Sequence, residues 1–291
     1  MNKFFLINKP SGISSFDVIR KMRKKLSIKK MGHTGTLDPL ASGCLLIATG
    51  NYTKLIPYFE KDTKSYRANI MLDGTSSSYD NETDIFYLSE EKKNYYKNNI
   101  KLEDIDVLLL EKFSGEIYQI PPKYSALKIG GKKACDLVRQ GKKVDLKERK
   151  VYIYETKIIK YDYPLLILEL KVSAGTYIRS IANDIGAYLG TGGYLTGLER
   201  TKIGNLDIKD SICLDNLSLQ NELDLKKVFS RELFVNIDNF SEKDITKLNN
   251  GLSFLYNNCE NSLGNLFVYD GKNITNVVFY DGKKISPKRK I

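Results

Sequence analysis

Histidine occurs once in the 291 residues, tryptophan not at all, and the four cysteines stand far apart. A single histidine excludes multi-histidine metal sites and leaves any histidine-based triad dependent on His33 alone. Cys44, Cys135, Cys213 and Cys259 include no pair at CxxC spacing, so they read as reduced packing residues, not as a zinc site or disulfide framework. Long apolar runs are also missing: Cys44 to Ala48 and Leu165 to Leu168 are much too short to span a bilayer. Met1 to Ile7 lacks the hydrophobic region and small-residue cleavage site of a signal peptide, which predicts a cytoplasmic protein without a membrane partner. Neither the Rossmann nor the P-loop glycine pattern is present.

Acid is in short supply as well. Lysine and arginine number 46 against 35 acids, a formal charge of +11, which points to a polyanionic partner. Composition alone does not decide this, because 37 lysines against nine arginines also fit A/T-rich codon usage. Position is more informative. Basic residues gather in Arg20 to Lys30, in Lys123 to Lys150 and in Lys283 to Lys290, three clusters that suit an extended nucleic-acid footprint.

The length predicts a large domain followed by a smaller one. Phe4 to Ile7 reads as a buried strand. Ser14 and Asp17 form a capping-box pattern opening a helix with Phe16, Ile19, Met22 and Leu26 on one face and bases on the other. Cys44 to Ala48 and Tyr66 to Leu72 read as strands, Ser76 to Asp84 as a polar loop, and Ser89 to Leu110 as helical with an interruption at Asn98-Asn99. Val151 to Tyr161 and Leu165 to Val172 pair as strands. The second leads through Ser173 to Tyr177 into a helix of Ile178, Ile181, Ile185 and Leu189 that Gly190 ends. Beyond Phe229 come a helix at Glu242 to Asn249, an Asn250-Gly251 turn and two strands ending in Asp-Gly, the pattern of short hairpins. The whole is mixed α/β with largely antiparallel strands.

Gly32 to Gly43 (GHTGTLDPLASG) places a carboxylate, the lone histidine and three glycines within twelve residues. Glycines let backbone approach a ligand, and Pro39 holds Asp38 out of the helical region. A bare Asp-Pro also suits a tight turn whose carboxylate caps its own backbone. The surrounding sequence favours a catalytic loop.

With Asn8 to Ser15 upstream (NKPSGISS), that loop resembles the TruB family of bacterial tRNA pseudouridine synthases. Lys64 to Ala68, Ile120 to Lys128, Gly130 to Ala134 and Gly175 to Ser180 resemble further blocks of the family, in its order and at its spacing. The resemblance implies an α/β (α+β) pseudouridine synthase core with a central mixed, largely antiparallel sheet. It places this core at residues 1–228, with an RNA-binding insertion at about 120–145, and a small β-rich PUA-like RNA-binding domain at 229–291. It implies isomerisation of the T-loop uridine conventionally numbered 55, by base flipping, with no cofactor and no metal. The partner is then the T arm of tRNA, met by a monomer that needs no protein partner.

The resemblance makes Asp38 the nucleophile and Arg179 its partner, a planar fork able to grip a carboxylate bidentately. Tyr66 stacks on the flipped uracil and can move a proton, Tyr177 hydrogen-bonds in the pocket, Leu198 lines it, and His33 contacts the RNA beside the vacated position. Whether Asp38 attacks C6, attacks C1′ or removes a ribose proton stays open. One departure is visible at Leu198-Glu199-Arg200, where the family has arginine in place of Glu199.

Overall fold

The run Phe4 to Ile7 is continuously apolar because both faces of its strand are buried. Phe4 and Leu6 enter one core cluster with Tyr52 and Phe59, while Phe5 and Ile7 enter another with Val18, Ile19 and Met22. Cys44, Leu46 and Ala48 divide from Leu45 and Ile47 in the same way, as the two-residue side-chain period of a strand requires.

The computed structural model describes residues 1–59, 62–125, 127–229, 233–256 and 263–291, except for the side chains of Lys128 and Lys133. Cys259 and Ala126 therefore lie outside the described residues. The elements run β1 (Phe4–Lys9), α1 (Ser15–Leu26), β2 (Met31–His33), β3 (Ala41–Thr49), β4 (Lys64–Met71), β5 (Gly74–Ser76), β6 (Ile85–Tyr87), α2 (Glu90–Asn99), α3 (Leu102–Lys112) and β7 (Gly115–Gln119). A small insert follows, with β8 (Lys128–Ile129), β9 (Lys132–Lys133) and α4 (Ala134–Arg139), before the hairpin β10 (Arg149–Asp162) and β11 (Leu165–Val172). Next come α5 (Ile178–Leu189), β12 (Tyr194–Ile203), β13 (Leu206–Asp207), β14 (Ile212–Cys213) and α6 (Leu225–Val228). The C-terminal part holds β15 (Phe234–Asn236), α7 (Glu242–Asn249), β16 (Phe254–Leu255), β17 (Gly264–Tyr269), β18 (Ile274–Tyr280) and β19 (Lys284–Lys290).

Among the described residues the central sheet has the order β14-β1-β3-β12-β4-β11-β10-β7, with β2 added to β3 and β13 to β12. It is mixed and mostly antiparallel; β1–β14 and β3–β12 are its parallel pairs. One face of β4 and β11 (Ala68, Ile70, Leu166, Leu168) packs under α3 and α5, whose Ile105, Leu109, Ile181 and Ile185 complete that core. The second sheet, β15-β17-β18-β19-β16, buries Leu266, Val268 and Val278 against α7, while Phe267, Ile274 and Val277 join Phe4 and Tyr52 behind the central sheet. There the Ile274 amide donates to the Tyr52 hydroxyl at 3.1 Å.

Several expectations need correction, among them the reading of Cys213 as a packing residue, since it is exposed. Phe16 is 57% exposed; the buried face of α1 keeps the expected Ile19, Met22 and Leu26 and is completed by Val18 and Ser15, which reaches the neighbouring loop. The stretch Ser76 to Asp84 is not simply a polar loop: Ser76 ends β5, and Ser76, Ser78 and Asp80 are buried. The Ser14–Asp17 capping box appears as expected, and the helical stretch from Ser89 to Leu110 is two helices that break at Ile100, just past Asn98-Asn99.

β12 can run beside β3 because residue 43 has no side chain. Gly43 has φ +99°, and a Cβ there would stand 2.3 Å from the Arg200 carbonyl oxygen. Gly43→Ala is therefore expected to destabilise the protein by about 2–5 kcal/mol in urea unfolding, combining backbone strain with overpacking. Gly12→Ala, at φ +88° but with nothing within 4 Å, should cost only the strain; equal losses at both positions would contradict this account.

Candidate active site

The β2–β3 hairpin pairs Met31 with Thr49, Gly32 with Ala48 and His33 with Ile47, so the segment Thr34 to Leu40 crosses the end of the sheet. The Gly32 to Gly43 motif is thus partly strand, and the irregular piece that carries Asp38 is shorter. With no strand partner, this piece is fixed by other groups. Ser15 Oγ accepts from the Leu37 amide at 2.8 Å and the Gly12 amide donates to the Pro39 carbonyl at 2.8 Å. Ser11 Oγ donates to the Leu40 carbonyl, also at 2.8 Å.

Two buried cations hold the loop from within. Lys9, 0% exposed, donates from Nζ to the carbonyls of Pro10 (2.9 Å), Ile13 (2.6 Å) and Pro39 (3.4 Å). Burial pushes its ammonium down to about 8, against an upward pull from the Asp38 charge. Arg200 donates from Nε to the Cys44 carbonyl at 2.8 Å and from Nη2 to the Gly35 carbonyl at 3.2 Å.

Asp38 Oδ2 lies 3.0 Å from Arg179 Nη2. The guanidinium does not grip Asp38 bidentately as expected from sequence, and it is not a solvated helix-start arginine. It is 4% exposed and shares its fork between two acids, with Nη1 3.2 Å from Asp80 Oδ2. Nη1 also donates to the Ser78 carbonyl (3.0 Å) and Nη2 to the Tyr124 carbonyl (2.9 Å). Asp80 is fully buried, its Oδ1 accepting from Ser78 Oγ at 2.5 Å and from the Glu82 amide at 3.0 Å. Sequence reasoning missed Asp80, because it belongs to no motif and reaches the site through a contact one hundred residues distant in the chain.

Asp38 and Arg179 open onto a cavity of about 410 Å³ that His33, Tyr66, Tyr177 and Leu198 also line, so all six site residues expected from sequence converge there. Tyr66 rises from the middle of β4, in register with Arg200 of β12 and Leu170 of β11. Tyr177 caps α5, and the Gln119 side-chain amide brackets its backbone, accepting from its N–H at 2.8 Å and donating to its carbonyl at 3.0 Å. His33 Nδ1 accepts from the Gly35 amide at 3.3 Å, which assigns the ring proton to Nε2. Burial, reinforced by the Arg200 charge, lowers the His33 pKa and keeps the imidazole neutral at neutral pH.

Lys64, Thr34 and Ser125, to which sequence reasoning assigns no role, line the same cavity. Thr34 Oγ1 and Ser125 Oγ are buried without a hydrogen-bond partner among the described residues, so they are available to a ligand. Glu199 faces away from the cavity. It pairs in register with Arg67, which bonds Glu169 at 2.8 Å, so the departure from the family pattern supplies a second acid beside Arg67.

The Lys9 environment has a measurable pH signature. Its folded value near 8 lies below the ordinary 10.5, so between these limits the unfolded chain binds the proton more tightly and stability must rise with pH. The difference in unfolding free energy between the parent and Lys9→Met should climb by up to about 1.4 kcal/mol per pH unit through that window; a flat difference would refute the burial of a titrating amine.

Comparison with known proteins agrees with the geometry. A family model described as TruB family pseudouridylate synthase (N terminal domain) matches residues 23–178. A Clostridium kluyveri protein named tRNA pseudouridine synthase B is 42% identical over 223 residues, covering 77% of this chain and 74% of the relative. A protein of the same name from Parabacteroides distasonis is 42% identical over 207 residues, 69% of this chain and 85% of the relative. In fold, the chain is similar over 99% of its length to 84% of a chain in a solved Cbf5-Nop10-Gar1 complex, with TM-score 0.71 at 20% identity. By domain match and by sequence identity over three quarters of its length, the chain belongs to the TruB family of pseudouridylate synthases.

Proposed function

We propose that this protein isomerises uridine 55 in the T loop of tRNA to pseudouridine, with Asp38 as the group that starts the reaction. The observation that carries this reading is the ionic contact of 3.0 Å between Asp38 and the buried Arg179 at the wall of a base-sized cavity. Arg179 cannot deprotonate, so the contact sets a permanent cation against the Asp38 carboxyl group. The Asp38 side chain keeps 39% of its surface exposed and is free to meet a substrate.

The reaction breaks the C1′–N1 bond, turns the uracil and forms a C1′–C5 bond; N1 gains a proton and C5 loses one, so atoms and charge balance. Each route considered, attack at C6, attack at C1′ or removal of a ribose proton, begins with an anionic Asp38. Tyr66 offers the flipped base a stacking face, which offsets part of the few kcal/mol that flipping costs. Tyr177 and Leu198 bound the base, and neutral His33 contacts the RNA as a hydrogen-bonding group. No cofactor enters.

We assign residues 1–228 to this catalysis. The insertion at about 120–145 supplies the Tyr124 carbonyl to Arg179 and Ser125 to the cavity, which suits a segment that closes on the T arm. Residues 229–291 form a PUA-like unit whose basic Lys283 to Lys290 stretch serves RNA binding. The protein acts as a cytoplasmic monomer on tRNA without a protein partner; among the described residues no helix is long and apolar enough to cross a membrane.

Release of tritium from C5-labelled uridine in a T-arm stem-loop tests the reading directly. The parent should release label without added metal. Asp38→Asn should lose about 10⁴-fold or more while still binding the RNA, as removal of a principal catalytic group does. Release by neither protein would end the proposal. Asp80→Asn, which leaves Arg179 with one acid, should slow turnover about 10- to 100-fold through misplacement of the guanidinium; unchanged turnover would make Asp80 a bystander.

A further inference from the structure

We propose that the outward flank of α1 is a second RNA contact surface, which stacks an exposed base on Phe16 and neutralises backbone phosphates of the tRNA outside the flipped T-loop nucleotide. The inference rests on the tRNA reading above and adds to it a specific docking face.

Phe16, Arg20 and Arg23 recur at four and three residues, one stripe of the helix. Phe16 is 57% exposed, and the Arg23 guanidinium carbon lies 5.8 Å from its ring centroid. A large ring left in water beside a guanidinium is the combination on which nucleobases stack. Arg20 to Lys30 holds seven cations, and residues 18–30 contain no acid; Asp17 alone pairs with Arg20. Such an uncompensated stretch gains affinity for phosphates by counterion release.

Position favours RNA over a merely solvated face. On the opposite flank, Lys25 is tied to the Leu214 carbonyl at 3.0 Å, and the buried face of α1 packs against Met31 of β2, which ends in His33 at the cavity. Ser15, next to Phe16, bonds the Leu37 backbone of the catalytic loop, and Phe16 is not among the residues that line the cavity. A nucleotide on Phe16 is therefore not the one held in the cavity. The helix extends the surface a further ~18 Å from there at 1.5 Å per residue. An RNA that fills the cavity and this flank together is larger than the flipped loop, which the body of a tRNA satisfies.

Binding is to be measured in the Asp38→Asn background with two RNAs, an unmodified full-length tRNA transcript and a T-arm stem-loop. Phe16→Ala should weaken full-length tRNA about tenfold, the scale of one stacked base, and change stem-loop binding by less than about twofold. Phe16→Tyr should restore the affinity. Arg23→Gln should lower the slope of log affinity against log salt by about one for the full-length tRNA alone. Equal loss on both RNAs, or loss on neither, overturns the proposal. Failure of the synthase reading would appear separately, as absence of tritium release by the protein with Asp38 intact, and leaves these binding ratios readable.

Discussion

Arg179 brings a charge that cannot be relieved by deprotonation into a place that is 4% exposed, and the local fold is arranged around that fact. Four segments must converge to satisfy it: the Asp38 loop, the Ser78–Asp80 turn, the Tyr124 carbonyl and the start of α5. None of these is adjacent in sequence to another. Removing one partner of such a buried pair costs about 3–5 kcal/mol, because the remaining charge is stranded. The guanidinium therefore works as an organiser of backbone as much as a partner for a carboxylate. A lysine, with one nitrogen on a flexible stem, could not span Asp38 and Asp80 while also reaching two carbonyls.

The other side of the Asp38 loop follows the same logic with a different balance. Lys9 and Arg200 are both buried, and neither forms an ion pair among the described residues; their donors go to loop and strand carbonyls instead. Carbonyl dipoles compensate a buried cation less completely than a carboxylate does, and the depressed value at Lys9 reflects this. Three cations around one loop also give Asp38 a positive surrounding potential, while only Arg179 touches it. The close β3–β12 approach at Gly43 is what allows Arg200 to reach under the loop.

Local features were legible in the sequence because local physics generates them. The capping box at Ser14, the helix at Glu242 to Asn249 and the Asp-Gly hairpins each depend on neighbours within four residues. His33, Asp38, Tyr66, Tyr177, Arg179 and Leu198 were legible for another reason: they occupy motif positions, and resemblance carried what periodicity could not. Asp80 had neither advantage. Its short polar surroundings fit a loop as well as a buried turn, and only a contact across the chain distinguishes them. Phe16 failed at the edge of the stripe: Ile19, Met22 and Leu26 are buried as expected, but Ser15 and Val18 complete that face, with Ser15 bonding the Leu37 amide. The Asp270-Gly271 end marked a strand, but did not show that its Phe267 face would close the core behind β1.

Preorganisation in this site also has a visible limit. The loop, the two Arg179 Nη atoms and the Tyr177 backbone are each held by hydrogen bonds, while Arg179 Nε has no partner among the described residues, so the atoms that touch the two carboxylates have little freedom. The atoms facing the cavity are treated oppositely: Thr34 Oγ1 and Ser125 Oγ are buried yet unpartnered among the described residues, and the Asp38 carboxylate stays partly open. Buried polar groups without partners cost about 1–3 kcal/mol each, and folded proteins seldom tolerate them where packing could remove them. Their place in the cavity lining, beside Nη atoms of Arg179 that bond two carbonyls and two acids, separates the two tasks of the site. The protein satisfies whatever positions Asp38 and leaves unsatisfied what a base and its ribose would bond, so substrate entry completes a hydrogen-bond network that folding alone leaves open.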